Sequence, residues 1–469
     1  MARLLSGPAA PPKGAVTVPA GRDDPAALGA PHTTYWFAAG RHTLGRGRYH
    51  QIAAGDGDTY VGAPGAVLSG MGTNLYAFTS KATGVTVEYL TVEDFGKGGD
   101  NPTQGVVNHT SGSRWTIEHD TVVHDAGAGV MLGSGDILRD DCLSDNSQYG
   151  FSVYSTAGSV HDVVVTGNEI AGNATYNWDA ARPGCGCSGG AKFWTTIGAV
   201  VSGNYVHGND NVGLWVDTDN SGFEITDNYI SRNHAEGLIY EISYNALIAR
   251  NTFVDNGWVQ GSRPTFGFPE SAVYISESGG DRRAPGPYAG RLDVVDNTFV
   301  DNWGGVVLWE DAGRFCGNGS TQACTLVDPR LFTARSCHDH LLGPDPRAAP
   351  DYFDNCRWET KNVSVTENLF VFRPRAIGPS CTLRTMCGYN GLFSGYGTAA
   401  PYMGWMVARD VSDRQHDVFS RNRYEGPWRF DGFALGTRLT WGQWTRGVAD
   451  VSGSGDAFGG QDAGSTYRG

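Results

Sequence analysis

Hydrophobic and polar residues alternate over short stretches along most of the chain, and nearly every stretch begins at a glycine. The stretches are GVMLGS from residue 129, GFSVYS from 150, GAKFWTT from 190, GLWVDTD from 213, GLIYEIS from 237, SAVYISES from 271 and GVVLWED from 305. Alternation with a period of two is typical of a strand with one buried face, and no helical period competes with it. The pattern therefore predicts an all-β chain.

An asparagine-rich motif recurs between these stretches. It reads TGNEIAGN at 166–173, SGNYVHGN at 202–209, TDNYISRN at 226–233, ARNTFVDN at 249–256 and VDNTFVDN at 295–302. The first asparagines are 36, 24, 23 and 46 residues apart, which indicates a unit of about 23 residues with insertions. Leucine-rich repeats need another leucine spacing and propeller blades are longer, so the repeat predicts a parallel β-helix whose turn asparagines stack as a ladder.

The two ends of the chain resemble those of a known group of proteins. The segments TTYWFAAGRHTLG and DTYVGAPGAVLSG are similar to the opening coils, and NRYEGPWRF, LTWGQWTR and GQDAGS to the terminal segment, of secreted bacterial β-helix proteins of the pectate-lyase-like and polygalacturonase-like group. The resemblance implies one right-handed, single-stranded parallel β-helix domain over 1–469. Its parts are opening coils at 1–84, central coils with inserted loops at 85–400 and a terminating segment at 401–469.

The repeat predicts which strand residues face inward. We align the strands on the fourth residue after the last Asn or Asp of each turn. The inward positions are then nearly all apolar: Val130, Leu132, Phe151, Val153, Ala191, Phe193, Leu214, Val216, Leu238 and Tyr240. Neighbouring coils lie about 4.8 Å apart and alternate residues of a strand about 6.7 Å apart, so the outward residues form a grid.

The outward grid is rich in acidic and aromatic residues on three successive coils. It holds Lys192, Trp194 and Thr196, then Trp215, Asp217 and Asp219, then Ile239, Glu241 and Ser243. Asp217 is predicted to lie directly opposite Glu241. Stacked like charges are unfavourable unless a shared proton, a metal or a cation such as Lys192 compensates them.

Two further coils extend the grid, and the sequence allows more than one alignment of their strands with the Glu241 strand. Glu277 is the acidic residue of the 271 strand. Counting from Asn302 places Glu310 in the column of Asp217 and Glu241, whereas counting from Gly305 places Trp309 there.

Trp215, Trp194, Tyr274 and Trp309 are predicted to be exposed on this face and, with Glu277, to bind a sugar. Coverage of the rings by loops is the alternative. For Asp219 the alternative is a simple turn, because DTDNSG also has the composition of an Asx turn.

Three chemistries fit this grid. The favoured one is glycoside hydrolysis, with Glu241 and Asp217 as the acid/base pair, Asp219 and Glu310 as further carboxylates, and Lys192 as an orienting residue. The DTD segment resembles the NTD motif of polygalacturonases, although their Arg-Ile-Lys element is absent. A lyase or epimerase would use Lys192 as the base and calcium held by Asp217, Asp219 and Glu241. A non-catalytic sugar-binding solenoid is the third. The predicted partner in each case is a polysaccharide or oligosaccharide, and hydrolysis needs no cofactor.

The net charge and the cysteines indicate which partners and which cellular location to expect. A net charge of −14 argues against nucleic acid as a partner, and no apolar run is long enough for a membrane span.

No apolar signal-peptide core is present in this sequence, yet nine cysteines favour an oxidising, secreted location. The predicted disulfides join Cys185 to Cys187, Cys316 to Cys324, Cys337 to Cys356 and Cys381 to Cys387, leaving Cys142. A zinc site is the alternative. Long disulfide-bearing loops are predicted to flank the outward face as walls of a groove.

Overall fold

The computed structural model describes residues 6–100, 105–109, 112–182, 185–263, 268–311, 358–395, 404–451 and 457–469. The chain divides into two compact units. The first comprises Met1–Trp215 and Glu224–His234, and the second comprises Val216–Phe223 and Ala235–Gly469. In both units the strands pair in parallel with their equivalents one coil away, so the all-β parallel β-helix is confirmed.

Each coil contributes one short strand to each of three faces. In one coil of the first unit these are Thr116–Glu118 on the first face, Thr121–Val123 on the second and Ala128–Leu132 on the third. The chain bends between faces at single residues with left-handed backbone, such as His119 (φ 60°) and His124 (φ 61°). These bends turn the chain sharply enough for three strands to fit into a repeat of about 23 residues.

The strands of the first unit follow this order from coil to coil. The first face holds Val16–Val18, Thr34–Phe37, Thr59–Gly62, Thr86–Glu88, Thr116–Glu118, Ile137–Arg139, Val164–Thr166 and Val200–Ser202. The second face holds Gly21–Arg22, Gly40–Thr43, Ala66–Ser69, Thr91–Glu93, Thr121–Val123, Cys142–Ser144, Glu169–Ala171, Tyr205–His207 and Tyr229–Ser231. The third face holds Gly105–Val107, Ala128–Leu132, Phe151–Val153 and Gly189–Phe193. The remaining elements are the strand pairs Ile52–Ala53 with Phe78–Thr79 and Val160–His161 with Thr196–Ile197, the 3-10 turn Pro25–Ala27 and the helix Trp178–Ala181.

The second unit repeats the same order. Leu238–Ala249 supplies both a third-face and a first-face segment. The other third-face strands are Val273–Ser276, Val306–Asp311, Tyr389–Gly395 and Arg429–Ala434, and the other first-face strands are Leu292–Val295, Val363–Thr366 and Val418–Ser420. The second face holds Thr252–Val254, Thr298–Val300, Leu369–Val371, Arg423–Glu425 and Thr466–Arg468. Arg438–Leu439 adds an antiparallel strand, and the helices are Trp258–Gly261, Pro374–Ile377, Gly404–Asp413 and Trp441–Arg446. The strand Val212–Thr226 has residues in both units.

Apolar side chains fill the coils, as the alternation predicts. Val130 pairs with Phe151, Phe151 pairs with Ala191, and all ten predicted inward residues are at most 1% exposed. In the second unit an aromatic column runs through Phe253, Phe299, Phe370 and Tyr424, with ring centroids 5.0, 4.6 and 4.8 Å apart. Stacked rings one coil apart bury large apolar areas and fix the register of neighbouring coils.

The predicted asparagine ladders are present. Asn173 Nδ2, for example, donates to Asn209 Oδ1 (3.0 Å) and to the Leu143 carbonyl of the preceding coil (3.0 Å). The ladders of the first unit contain Asn146, Asn173, Asn209 and Asn233, and Asn168, Asn204 and Asn228. Asn251, Asn297, Asn368 and Asn422 form a ladder in the second unit. These bonds satisfy turn groups that would otherwise be buried without partners.

Two of the predicted disulfides, Cys185–Cys187 and Cys381–Cys387, are formed. The other two predicted pairs, Cys316 with Cys324 and Cys337 with Cys356, lie outside the described residues. Cys142 forms no disulfide among the described residues and is half-buried. Over the described ranges, no helix has both the length and the apolar character needed to cross a membrane.

Candidate functional site

The pairing of the third-face strands in the second unit shows which residues share a column with Glu241. Glu241 pairs with Ser276, and Ser276 pairs with Trp309 on the next coil. Trp309 therefore occupies the Glu241 column, and the placement of Glu310 in it by counting from Asn302 is wrong. The count fails because the turn after Asn302 enters its strand one residue earlier than the turn before the Glu241 strand.

Glu277 and Glu310 both lie one position beyond this column and are enclosed, each with 1% exposure. Glu310 Oε2 accepts hydrogen bonds from the Thr360 main-chain N–H (3.0 Å) and from Gln415 Nε2 (3.2 Å). Glu277 has left-handed backbone (φ 44°), which ends the regular alternation of its strand. Their predicted positions on an exposed face are therefore wrong, since both carboxylates are buried.

Aromatic side chains cover part of the third face. The Tyr274 ring lies 5.8 Å from the Trp309 ring between centroids, and Phe268 lies 4.9 Å from Trp309 and 6.0 Å from Tyr274. Phe268 belongs to the segment inserted before the Val273–Ser276 strand. It leaves Tyr274 only 9% exposed, so the prediction of an open ring is wrong there. Trp309 remains partly exposed beside this cluster.

Asp217 and Asp219 lie at a bend within the strand Val212–Thr226. Thr218 and Asp219 both have left-handed backbone, with φ of 49° and 60°. The Thr218 hydroxyl donates to Asp217 Oδ1 (2.7 Å), and Asn220 Nδ2 donates to the Asp217 carbonyl (2.6 Å). Strand alternation thus stops at Asp217, and the predicted regular alternation through Asp219 is wrong. Both aspartates are partly exposed.

Two glutamates outside the predicted set, Glu236 and Glu270, are hydrogen-bonded to each other through their carboxyl groups. They end the segments that lead into the paired strands Leu238–Ala249 and Val273–Ser276. Burial raises the pKa of Glu236 to about 7, and the charge of Glu241 adds to the shift. Burial, followed by the charge of Glu236, raises the pKa of Glu270 well above its ordinary value. Two interacting carboxyl groups of this kind hold a proton near neutral pH and titrate together.

An ionic cluster lies beside the first-face strands of the second unit. Asp281 accepts a hydrogen bond from Arg283 Nε (2.9 Å) and lies 3.2 Å from Lys361 Nζ, which is 2.6 Å from Glu359 Oε2. Burial opposes ionisation of Asp281, but hydrogen bonds from Arg283 and the charge of Lys361 lower its pKa to about 2. Each charge faces an opposite charge, so the cluster fixes the segments around 281 and 360 on the coils.

In the first unit, Lys192 is enclosed by aromatic rings. Its Nζ lies 3.6 Å from the centroid of the Trp215 ring and 4.6 Å from that of Trp194. It donates to the carbonyl of Gly186 (2.5 Å), the residue between the disulfide-bonded Cys185 and Cys187. Lys192 is 2% exposed, whereas the two tryptophans are partly exposed. The rings and carbonyl form a cage that favours a cation.

Within the described part of the chain, no three His, Cys, Asp or Glu side chains come together as a metal-binding group. The calcium site at Asp217, Asp219 and Glu241 remains a prediction. Among the predicted site residues, the structure brings Tyr274 and Trp309 into contact in the second unit. In the first unit it brings Lys192, Trp194 and Trp215 together.

Parallel strands on three faces and stacked asparagines define the class of protein as a parallel β-helix. Residues 104–281 match the family described as "Right handed beta helix region", which confirms the predicted handedness. No curated protein matches the chain.

The chain is similar to several solved structures at low sequence identity. The catalytic unit of a GH87 α-1,3-glucanase from Streptomyces thermodiastaticus is 12% identical, with 98% of this chain and 70% of that chain covered and a TM-score of 0.50. The A-module of the mannuronan C-5 epimerase AlgE4 from Azotobacter vinelandii is 14% identical, with 73% and 87% covered and a TM-score of 0.40. The periplasmic alginate epimerase AlgG double mutant is 9% identical, with 78% and 74% covered and a TM-score of 0.37.

Proposed function

We propose that this protein is a secreted carbohydrate-active enzyme that hydrolyses glycosidic bonds in a polysaccharide or oligosaccharide. The observation that carries the proposal is the carboxyl pair Glu236–Glu270, which holds a proton near neutral pH beside Glu241. Glycoside hydrolysis requires one carboxyl group that is protonated and one that is ionised. Carboxyl groups whose surroundings push their protonation apart are the usual source of such a pair.

The proposed roles follow from position and electrostatic interaction. Glu241 lies on the outward side of its strand, but it is 3% exposed, so its predicted position on an exposed face is wrong. It interacts with Glu236, so charge on either one disfavours charge on the other. We assign Glu241 as the acid that delivers the proton to the leaving oxygen. Asp217, which is partly exposed and accepts a hydroxyl hydrogen bond from Thr218, is the proposed ionised partner. Glu310 is withdrawn from the catalytic set because two buried donors occupy it.

Aromatic side chains support a sugar as the substrate. Trp309 shares the Glu241 column two coils away and is partly exposed. A partly exposed indole offers a face for the C–H groups of a sugar ring and a rim for its hydroxyls. The similar fold of an α-1,3-glucanase is compatible with this proposal, although a likeness at 12% identity concerns the fold.

The lyase or epimerase alternative needs a neutral base that reaches a sugar C–H group. Lys192, the predicted base, is 2% exposed, and its Nζ contacts two indole rings and the Gly186 carbonyl, so little of it is open to a sugar C–H group. Lys361 is charged: burial alone would lower its pKa, but Tyr244, Glu359 and Asp281 together raise it. The hydrolase is therefore preferred, and a non-catalytic sugar-binding protein is the remaining alternative.

The proposal is tested by incubating the protein with a panel of neutral and uronic-acid polysaccharides and identifying the new chain ends. We expect new saturated reducing ends, and we expect Glu241→Gln to form almost none. Unsaturated uronate ends that disappear on chelation of calcium would replace the hydrolase by the lyase. Binding without any product would favour the sugar-binding protein.

A further inference from the structure

The two asparagine ladders of the first unit begin with aspartates. Asp120 and Asp141 occupy the positions that Asn168 continues in one ladder, and Asp125 occupies the position that Asn146 continues in the other. We call Asp120, Asp125 and Asp141 the ladder aspartates. All three are buried, with exposures of 1% each.

One oxygen of each ladder aspartate acts as an asparagine Oδ1 does. Asp120 Oδ1 accepts from the Leu90 main-chain N–H (2.7 Å), and Asp141 Oδ1 accepts from the Asp120 N–H (2.7 Å). Asp125 Oδ1 accepts from the Phe95 N–H (2.9 Å). The ladder geometry is therefore continuous from the asparagines into the aspartates.

The second oxygen is different. Oδ2 of every ladder aspartate is buried and has no hydrogen-bond partner within the described residues. In Asn146 the equivalent atom is Nδ2, which donates to the Val122 carbonyl (3.2 Å) and to Asn173 Oδ1 (3.0 Å). A carboxylate in that place would turn a bare negative oxygen toward two acceptor oxygens, and a buried polar atom without a partner is costly.

We propose that the ladder aspartates are protonated in the folded protein, and that their carboxylic O–H groups replace the asparagine amides as ladder donors. The strand register names the acceptors. Asn168 Nδ2 donates to the Leu138 carbonyl, and Leu138 pairs with Ile117, so Asp141 donates to the Ile117 carbonyl. By the same register, Asp120 donates to the Val87 carbonyl and Asp125 to the Val92 carbonyl.

The charged neighbours act in the same direction. Burial is the main cause that raises the pKa of each ladder aspartate, and nearby acidic groups add to it. The acidic groups are Glu88 and Glu118 for Asp120, Glu118, Asp120 and Asp140 for Asp141, and Glu93 and Asp94 for Asp125. The basic groups among them are already paired: Arg139 with Glu118, and Arg41 with Glu93 and Asp94, while the His119 ring stacks on Tyr89.

The consequence is a pH-sensitive segment in the first unit. An aspartate is ionised above pH of about 4 in the unfolded chain, whereas the folded chain keeps these three protonated to higher pH. Their contribution to stability is complete below that unfolded pKa and is lost as pH rises through the folded pKa. Alkaline pH should therefore weaken the coils between 86 and 146.

The test is the full-length variant with Asp120→Asn, Asp125→Asn and Asp141→Asn combined. An amide donates without needing a proton, so at pH 8 the variant should melt about 3 °C or more above the parent, with a smaller difference at pH 4. The infrared difference spectrum of parent minus variant at pH 7 should contain the C=O band of a carboxylic acid. Amide hydrogen exchange at residues 86–146 should rise with pH in the parent more than in the variant.

Asp136→Asn is the matched control in the same unit. Asp136 is also buried, but its two oxygens accept from the main-chain N–H groups of Trp115 (2.8 Å) and Gly133 (2.7 Å) and from Asn108 Nδ2 (3.2 Å). An amide at this position would face donors, so this variant should melt below the parent at pH 8. The proposal is overturned if the triple variant melts at or below the parent at pH 8, or if the carboxylic-acid band is missing from the difference spectrum.

Discussion

The carboxyl groups of Glu236 and Glu270 are hydrogen-bonded to each other at the start of two paired strands. Burial brings the pKa of Glu236 to about 7, whereas that of an ordinary glutamate lies near 4. The charge of Glu241 raises the pKa of Glu236 further. A proton is thus retained beside the outward face at a pH where an isolated carboxyl group would have lost it.

Glu270→Leu should move the alkaline limb of the pH profile to higher pH. Hydrolysis that draws on the Glu236 proton should lose kcat/KM in the parent as pH rises through about 7, the pKa of Glu236. Leucine removes the hydrogen bond from Glu270 that lowers this pKa, so the pKa of Glu236 rises further. We expect a displacement of about one pH unit in kcat/KM.

Glu367→Gln is the matched control for this profile. Glu367 lies in the same unit, but its carboxylate is half-exposed and paired with Arg421 Nε at 2.7 Å. Its removal should leave the limb unchanged. An alkaline limb that stays in place in Glu270→Leu would remove the carboxyl pair from the mechanism.

Glu241→Gln and Asp217→Asn should each lose activity by about 10² or more while the fold is retained. Both substitutions preserve shape, and each removes one protonation state that hydrolysis requires. Initial rates, with circular dichroism as the check on folding, measure the effect. Glu425→Gln, which removes a carboxylate from the second face next to Arg423, is the control that should keep full activity. Parent-like rates in both test variants would refute the assignment of the pair.

Asp281→Asn should lower the free energy of unfolding by about 2 kcal/mol at neutral pH. The folded pKa of Asp281, about 2, lies below its ordinary value, so its contribution is present above the unfolded pKa and is lost as pH falls through about 2. The difference between parent and variant should therefore shrink from pH 7 to pH 3, as measured by denaturant unfolding.

Asp293→Asn is the comparison for the loss of an ion pair. Asp293 is paired with Arg291 (3.0 Å), whose side chain is 58% exposed. Ion pairs with an exposed partner contribute little, so the change should stay within about 0.5 kcal/mol. An Asp281→Asn variant as stable as this one would show that the ionic cluster does not fix its segments.

The fold could be predicted from the sequence because each of its determinants is local. Alternation of period two fixes the inward residues, and the spacing of asparagines such as Asn204 and Asn228 fixes the coil. The bend at Asp217 could be predicted, because DTDNSG has the composition of an Asx turn. The loss of alternation at Asp219 could not, because Thr218 has left-handed backbone and no glycine marks the position.

The site was harder to predict for two physical reasons. Burial of outward residues depends on inserted segments, and Phe268 covers Tyr274 from such a segment. The grid also included only residues within the strands, whereas Glu236 and Glu270 lie in the turns that precede the strands. The usable signal was an acidic residue directly before each strand, in AEGLIY and in PESAVY.

Lys192→Met should disturb the aromatic cage without removing hydrolysis. The ammonium group lies over the Trp215 and Trp194 rings, so its loss should change tryptophan emission and lower stability by about 1 kcal/mol. Lys192→Arg, which keeps a cation that can lie over the rings, should restore part of the parent emission. If Lys192 were the base of a lyase, both variants would lose product formation almost completely, while a residue of the cage should leave the saturated reducing ends in place. End-group analysis and emission spectra on the same samples separate these outcomes.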